Sequence, residues 1–230
     1  MISNDGPQQD DPIGPLLFSN TIQPLLESLE SELPLGYLDD LTLGGPQSVV
    51  AADVRCVTEV GQATGLVLNV NKCELISHPS TVVSDPALQS FQRVSVSDTV
   101  LLGAPVLQGQ SLDKHWSNRC NDLSRAVDRL TKVASRDALI LLQASFSTPR
   151  VQHLLQCSPS ADHAALATFD DTLRSAVCTF TNFELTDTQW LQATLPIRDG
   201  GLGVRRVSSM ALSAFVASAV STLSLQETIL

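Results

Sequence analysis

The chain has 230 residues, 43% of them apolar and 17% charged, and a formal net charge of −10. That balance excludes a disordered chain and leaves room for one large domain or two small ones. No stretch approaches the roughly 18 uninterrupted apolar residues of a membrane span, and the polar, acidic start Met1 to Pro12 is not a secretory signal.

Five dispersed cysteines (Cys56, Cys73, Cys120, Cys157, Cys178) form no Cys-x-x-Cys pair. They fit reduced thiols in an intracellular protein better than a disulfide frame. Cys73 and His78 have no second ligand pair nearby, so a zinc site is set aside. Charge is divided unevenly. Residues 1–106 hold thirteen acidic and three basic side chains, a net of −10, whereas residues 107–230 hold eleven of each. Nearly all cationic side chains thus lie in the second half, the half better suited to nucleic-acid phosphates.

In chain order, residues 13–31 read as a helix on the spacing of Leu16, Leu17, Ile22, Leu25, Leu26 and Leu29. Pro15 suits its first turn and Pro24 predicts a kink. Residues 33–37 and 41–43 read as short strands, with Asp39 and Asp40 at the turn between them. Helical spacing resumes from Val49 to Ala63, and Gly65 suits a C-terminal cap. Residues 66–70 and 73–76 read as strand or turn, 79–98 as loop, and 99–102 as a strand closed by Gly103 and Pro105. One long helix is predicted over 112–145, with Arg125, Arg129, Lys132 and Arg136 sharing a face at spacings of 4, 3 and 4. Further helices are predicted over 149–156, from beyond Pro159 to about 181, over 186–195, and over 208–225. The fold class is α+β: a mixed first half, 1–106, followed by an all-helical second half, 107–230.

Tyr37-Leu38-Asp39-Asp40 is the segment richest in chemistry. Adjacent carboxylates at a turn between strands are hard oxygen ligands of the kind that suits Mg²⁺ or Mn²⁺ beside a triphosphate. The plain alternative is a hairpin tip, since Asp favours turns.

Four clusters stand in a fixed order: Gln8-Gln9-Asp10-Asp11-Pro12-Ile13-Gly14-Pro15-Leu16-Leu17-Phe18, Tyr37-Leu38-Asp39-Asp40, Gly65-Leu66-Val67-Leu68-Asn69-Val70-Asn71-Lys72-Cys73-Glu74, and Leu101-Leu102-Gly103-Ala104-Pro105. Together they resemble the second half of the reverse transcriptase domain of non-LTR (LINE-like) retrotransposons, over nearly the whole chain. Leu195-Pro196-Ile197-Arg198-Asp199-Gly200-Gly201-Leu202-Gly203 is similar to the region beyond the primer grip of those elements.

The resemblance implies a right-hand polymerase, with 1–106 as a partial palm and 107–230 as a thumb and extension. It implies an RNA template, a DNA primer and dNTP as partners, and Mg²⁺ (or Mn²⁺) held by Asp39 and Asp40. Lys72 matches a general acid for the departing pyrophosphate. Gln9, Pro12, Ile13, Gly14 and Tyr37 match substrate-contacting positions, and Leu102 and Gly103 match the primer grip. Arg125, Arg129, Lys132 and Arg136 become a phosphate-tracking surface, against the plain reading of a solvated face partly neutralised by Asp122 and Asp128. Lys72 alone reads as a surface lysine, and Pro12 to Pro15 as a helix start. Trp116, Trp190, His115, His153 and His163 read as packing or surface residues.

Two departures accompany the match. Asp10 stands where the family usually has Gly, and a carboxylate there would repel triphosphate. The family's third carboxylate lies on an earlier strand, and only seven residues precede Gln8, with Asp5 on no recognisable strand. The chain alone is therefore expected not to polymerise unless another polypeptide supplies the missing N-terminal half. A non-catalytic nucleic-acid-binding remnant built on the thumb helices is the alternative.

Overall fold

The computed structural model describes residues 11–229. It is a mixed α+β structure whose contacts group into two units: residues 11–94 with 228 and 229, and Ser95–Glu227. The segment 95–106, expected with the palm, groups with the helices.

In the first unit, α1 (Gly14–Glu27) starts on Asp11, whose carboxylate accepts the Ile13 N–H at 3.0 Å and whose carbonyl accepts that of Gly14 at 3.0 Å. The helix runs through Pro24 and stops at Ser28, short of the predicted residue 31. The reason lies in the next helix, α2 (Gln47–Ala63). Its buried Asp53 accepts the N–H groups of Glu30 at 3.1 Å and Ser31 at 2.8 Å, drawing the chain out of helical conformation. Between them, β1 (Leu33–Tyr37) and β2 (Asp40–Gly44) pair antiparallel, in register from Leu33↔Gly44 to Tyr37↔Asp40.

Helix α2 ends as the sequence suggests. Gly65 (φ 79°) takes the left-handed position, its N–H bonding the Gln62 carbonyl and the Leu66 N–H that of Gly61, a Schellman closure. A 3₁₀ turn (Val70–Lys72) leads into β3 (Glu74–Ile76).

The predicted loop 79–98 contains more structure than its composition suggests. Asp85 caps α3 (Pro86–Gln89) by accepting the Ala87 N–H at 3.0 Å, and Arg55 of α2 holds the same carboxylate at 2.8 Å. The chain then forms β4 (Gln92–Val94), which pairs parallel to β3. Parallel neighbours require a crossover connection, and the segment carrying α3 supplies it. Where the polymerase resemblance implies antiparallel strands with helices, the described residues thus add one parallel pair to two antiparallel ones. They make three separate two-stranded sheets, one of them parallel.

The second unit opens with the hairpin β5 (Val100–Leu101) and β6 (Ala104–Pro105) and is otherwise helical. The single helix predicted over 112–145 is broken. Helix α4 (Gln110–Leu130) ends in a turn where the Thr131 hydroxyl donates to the Asp128 carbonyl at 2.8 Å, and α5 (Ser135–Leu141) begins after an extended Ala134. An unbroken helix of that length would span about 50 Å, well beyond the width of a small domain. The break returns Ala138 and Leu142 to the core, where both are fully buried. A π-turn (Leu142–Phe146) leads to α6 (Thr148–Cys157).

Next come α7 (Ala165–Thr181), α8 (Asp187–Ala193), α9 (Val207–Ser221) and α10 (Leu223–Ile229), with α6 packing on α9 and α4 on α7. The core combines Leu112, Trp116, Leu123 and Leu130 of α4 with Phe169, Leu173 and Val177 of α7 and Leu154 and Leu155 of α6. Trp116 meets Phe169 edge-on at 6.3 Å and donates its indole N–H to Ser160 at 3.0 Å. Trp190 is likewise buried, so both tryptophans serve packing. Thr186 and Gln189 open α8 with a reciprocal capping box. Among the described residues, no helix is long and apolar enough to cross a membrane.

Candidate functional site

The β1–β2 turn has two residues, Leu38 and Asp39. Leu38 has φ 52° and is the sole non-glycine residue of this hairpin at positive φ, the pattern of a turn whose first central position normally takes Gly. A leucine there is strained by roughly 1–2 kcal/mol. Retained strain of this kind concentrates where a chain presents functional groups. Asp39 stands at the tip, Asp40 opens β2 opposite Tyr37, and all three are exposed.

The donor set is chemically right for a hard divalent cation, which takes one or two protein carboxylates and completes its shell with water and phosphate oxygens. It is not a full protein cage. Among the described residues, no three His, Cys, Asp or Glu side chains group as a metal-holding set.

No family model matches the chain, and no curated protein or solved structure is significantly similar to it.

Gln9 is outside the described residues. Pro12, Ile13 and Gly14 form the turn into α1, the plain reading of that segment, with Asp11 occupying its first amides. Lys72 is exposed at the end of the 3₁₀ turn. Among the described residues, no hydrogen bond or ion pair links it to Asp39 or Asp40.

Leu102 and Gly103 form the tip of the β5–β6 hairpin with φ 47° and 79°. This is the mirror-image turn that matches strand twist. Nothing lies within 4 Å of a Cβ added at Gly103, so the tip is open.

The predicted cationic stripe is corrected by the break after Leu130. Arg125 and Arg129 share a face of α4, whereas Lys132 lies in the following turn and Arg136 on α5. In its place is a cluster the sequence did not single out. Around Asp122 gather Arg125, in a short ion pair, Arg150 of α6 at 3.6 Å and Arg119 at 3.9 Å. The Arg125 hydrogen bond holds the Asp122 carboxyl below its ordinary range, against partial burial and with help from the other two guanidiniums. Arg150 was missed because it sits on a different helix, and no local spacing connects it to Asp122.

Two buried carboxylates were also missed. Burial pushes the Asp53 carboxyl up, but the Ser31 hydroxyl and the Glu30 and Ser31 amides outweigh it and hold the group below its usual value. Asp170 of α7 performs the same service for α9, accepting the N–H groups of Val207 at 2.7 Å and Ser208 at 3.2 Å. An acidic residue in an amphipathic helix reads as solvated, so only the fold distinguishes these two.

Proposed function

We propose that this chain is part of a nucleotidyltransferase of the reverse transcriptase type, resembling those of non-LTR retrotransposons. On this reading the β1–β2 turn presents Asp39 and Asp40 to the phosphates of a dNTP. The observation that carries it is the strained two-residue hairpin, which displays both carboxylates at one tip. The ordered run of motifs around it gives the reading its direction.

In the reaction, the primer 3′ oxygen attacks the α-phosphorus of the dNTP and pyrophosphate departs. When bound, Mg²⁺ or Mn²⁺ supplies charge neutralisation at the attacking and leaving oxygens. Asp39 and Asp40 would hold the ions, Tyr37 would flank the nucleotide, and Lys72 would give a proton to the pyrophosphate. Positioning and charge neutralisation account for most of the rate in phosphoryl transfer. Among the described residues no third carboxylate joins Asp39 and Asp40, and two carboxylates by themselves are expected to bind nucleotide but not to turn it over.

Fluorescence anisotropy of a mant-labelled dNTP tests this reading. Binding is expected only with Mg²⁺ or Mn²⁺ present, and Asp39→Asn and Asp40→Asn each weaken it about tenfold, one charged hydrogen-bonding interaction's worth. Metal-independent binding, or binding indifferent to both substitutions, would overturn the assignment.

A second reading, a nucleic-acid-binding module without catalysis, is favoured by one observation. The second unit gathers three arginines around one aspartate.

A further inference from the structure

Three guanidiniums around one carboxylate leave an excess of two positive charges, which a single Asp122 cannot satisfy. The surrounding helix face adds one more positive charge, Lys114 and Arg129 set against the exposed Asp128. At 100° per residue, Lys114, Asn118, Arg125 and Arg129 of α4 fall within about 60° of one another, with the exposed Asp128 about 40° from Lys114 on one side, Asp122 about 20° beyond Arg129 on the other, and Arg119 about 80° beyond Arg129, towards the buried side of the helix. This face points away from Leu112, Trp116, Leu123 and Leu130, which are buried. Lys114 and Arg129 are exposed, and among the described residues neither makes an ion pair. From Lys114 to Arg129 the face extends about 22 Å. The side chains of Arg119, Arg125 and Arg150 are 35%, 72% and 50% exposed, so their unshared N–H groups reach solvent.

We propose that Arg119, Arg125 and Arg150, gathered around Asp122, form with Lys114 and Arg129 a cradle for the phosphodiester backbone of a nucleic acid. Guanidinium forks bind phosphate oxygens two at a time, and their planar geometry suits a bridging anion. A single small anion would use only the Asp122 cluster. A linear array of about 22 Å fits a chain of regularly spaced phosphates instead.

Asp122 has a positioning role. It draws Arg150 across from α6 towards the two α4 arginines, so that the forks are gathered before a phosphate arrives. It also competes with that phosphate for the same donors, which sets the sign of its substitution. The inference rests on the nucleic-acid reading of the helical unit and goes beyond it in naming the residues.

The test is fluorescence polarisation of a labelled 20-mer RNA–DNA hybrid with the whole chain, at 50 and 200 mM KCl. Three to five phosphate contacts predict a loss of affinity of roughly 40- to 500-fold between the two salts. Arg119→Gln and Arg150→Gln are each expected to lower the salt slope by about one, and Arg150→Lys to restore it. Asp122→Asn is expected to bind several-fold tighter, a change that a purely structural ion cluster would not give.

Thermal unfolding by circular dichroism identifies any variant that has lost its fold, and the remaining variants decide the outcome. If the wild type binds but the folded arginine variants bind equally well, the cradle is overturned while the nucleic-acid reading stands. If the wild type fails to bind at 50 mM KCl, both fall. Binding to phosphatidylserine vesicles without binding to the hybrid would overturn both in favour of a membrane surface.

Discussion

The two units solve the problem of stability differently. Among the described residues, the first unit fully buries only Ala51 and Leu88 of its hydrophobic side chains, and α1 buries none. The second unit buries a continuous core of large residues contributed by α4 to α9. What orders the first unit is largely polar: Asp53 clasping Ser31, and Asp85 joining Arg55 to the start of α3. The candidate catalytic turn therefore sits on the less strongly packed unit, and the candidate nucleic-acid face on the better packed one. Units with few buried apolar contacts open at lower free energy, as segments that must accommodate a ligand commonly do.

Core truncation should expose this contrast most sharply. Phe169→Ala is expected to cost about 3–5 kcal/mol in urea unfolding, whereas Leu16→Ala, at a position 67% exposed, should stay within about 0.5 kcal/mol. Equal costs would remove the distinction between the units.

The next effect is at Gly201. A Cβ there would lie 2.0 Å from the Leu195 carbonyl oxygen, backbone that cannot move aside cheaply. Gly201→Ala should cost roughly 2–3 kcal/mol, with thermal unfolding as the check.

Asp53 comes third. Its folded pKa lies below the unfolded value, so its stabilisation is complete above about pH 4 and fades as pH falls through the lowered value. Asp53→Asn should cost about 1–3 kcal/mol at pH 7 and flatten the acid limb of the stability profile. An unchanged acid limb would count against the clasp.

The smallest expected effect is at Leu102, where φ is 47°. Asn tolerates that conformation, so Leu102→Asn should raise stability by up to about 1 kcal/mol in the same unfolding assay.

Features encoded within a few residues were legible in the sequence. The β1–β2 hairpin matches its predicted strands to within a residue, because alternation and the Asp-rich turn are local. The Gly65 closure of α2 was equally plain. The break after Leu130 was not, because the apolar spacing continues in phase from Leu123 through Ala134 and the chain carries no Pro or Gly to mark the turn. The parallel pairing of β3 with β4 was not legible, because β4 lies in a Pro- and Ser-rich stretch and exists only through its distant partner. The Asp122 cluster was half visible: Arg125 belonged to a spacing pattern, but Arg150 joins through tertiary contact alone. The same holds for Asp53 and Asp170, whose partners are backbone amides 22 to 38 residues away.

The central claim is that the β1–β2 turn holds divalent metal against a triphosphate. Paramagnetic broadening by Mn²⁺ in the presence of dNTP, followed on backbone amide resonances, tests it most directly. Selective loss of the signals of residues 37–41 at substoichiometric Mn²⁺, abolished by Asp39→Asn with Asp40→Asn, is the predicted result. Broadening spread evenly over the acidic surface, with the hairpin signals no more affected than the rest, would contradict it.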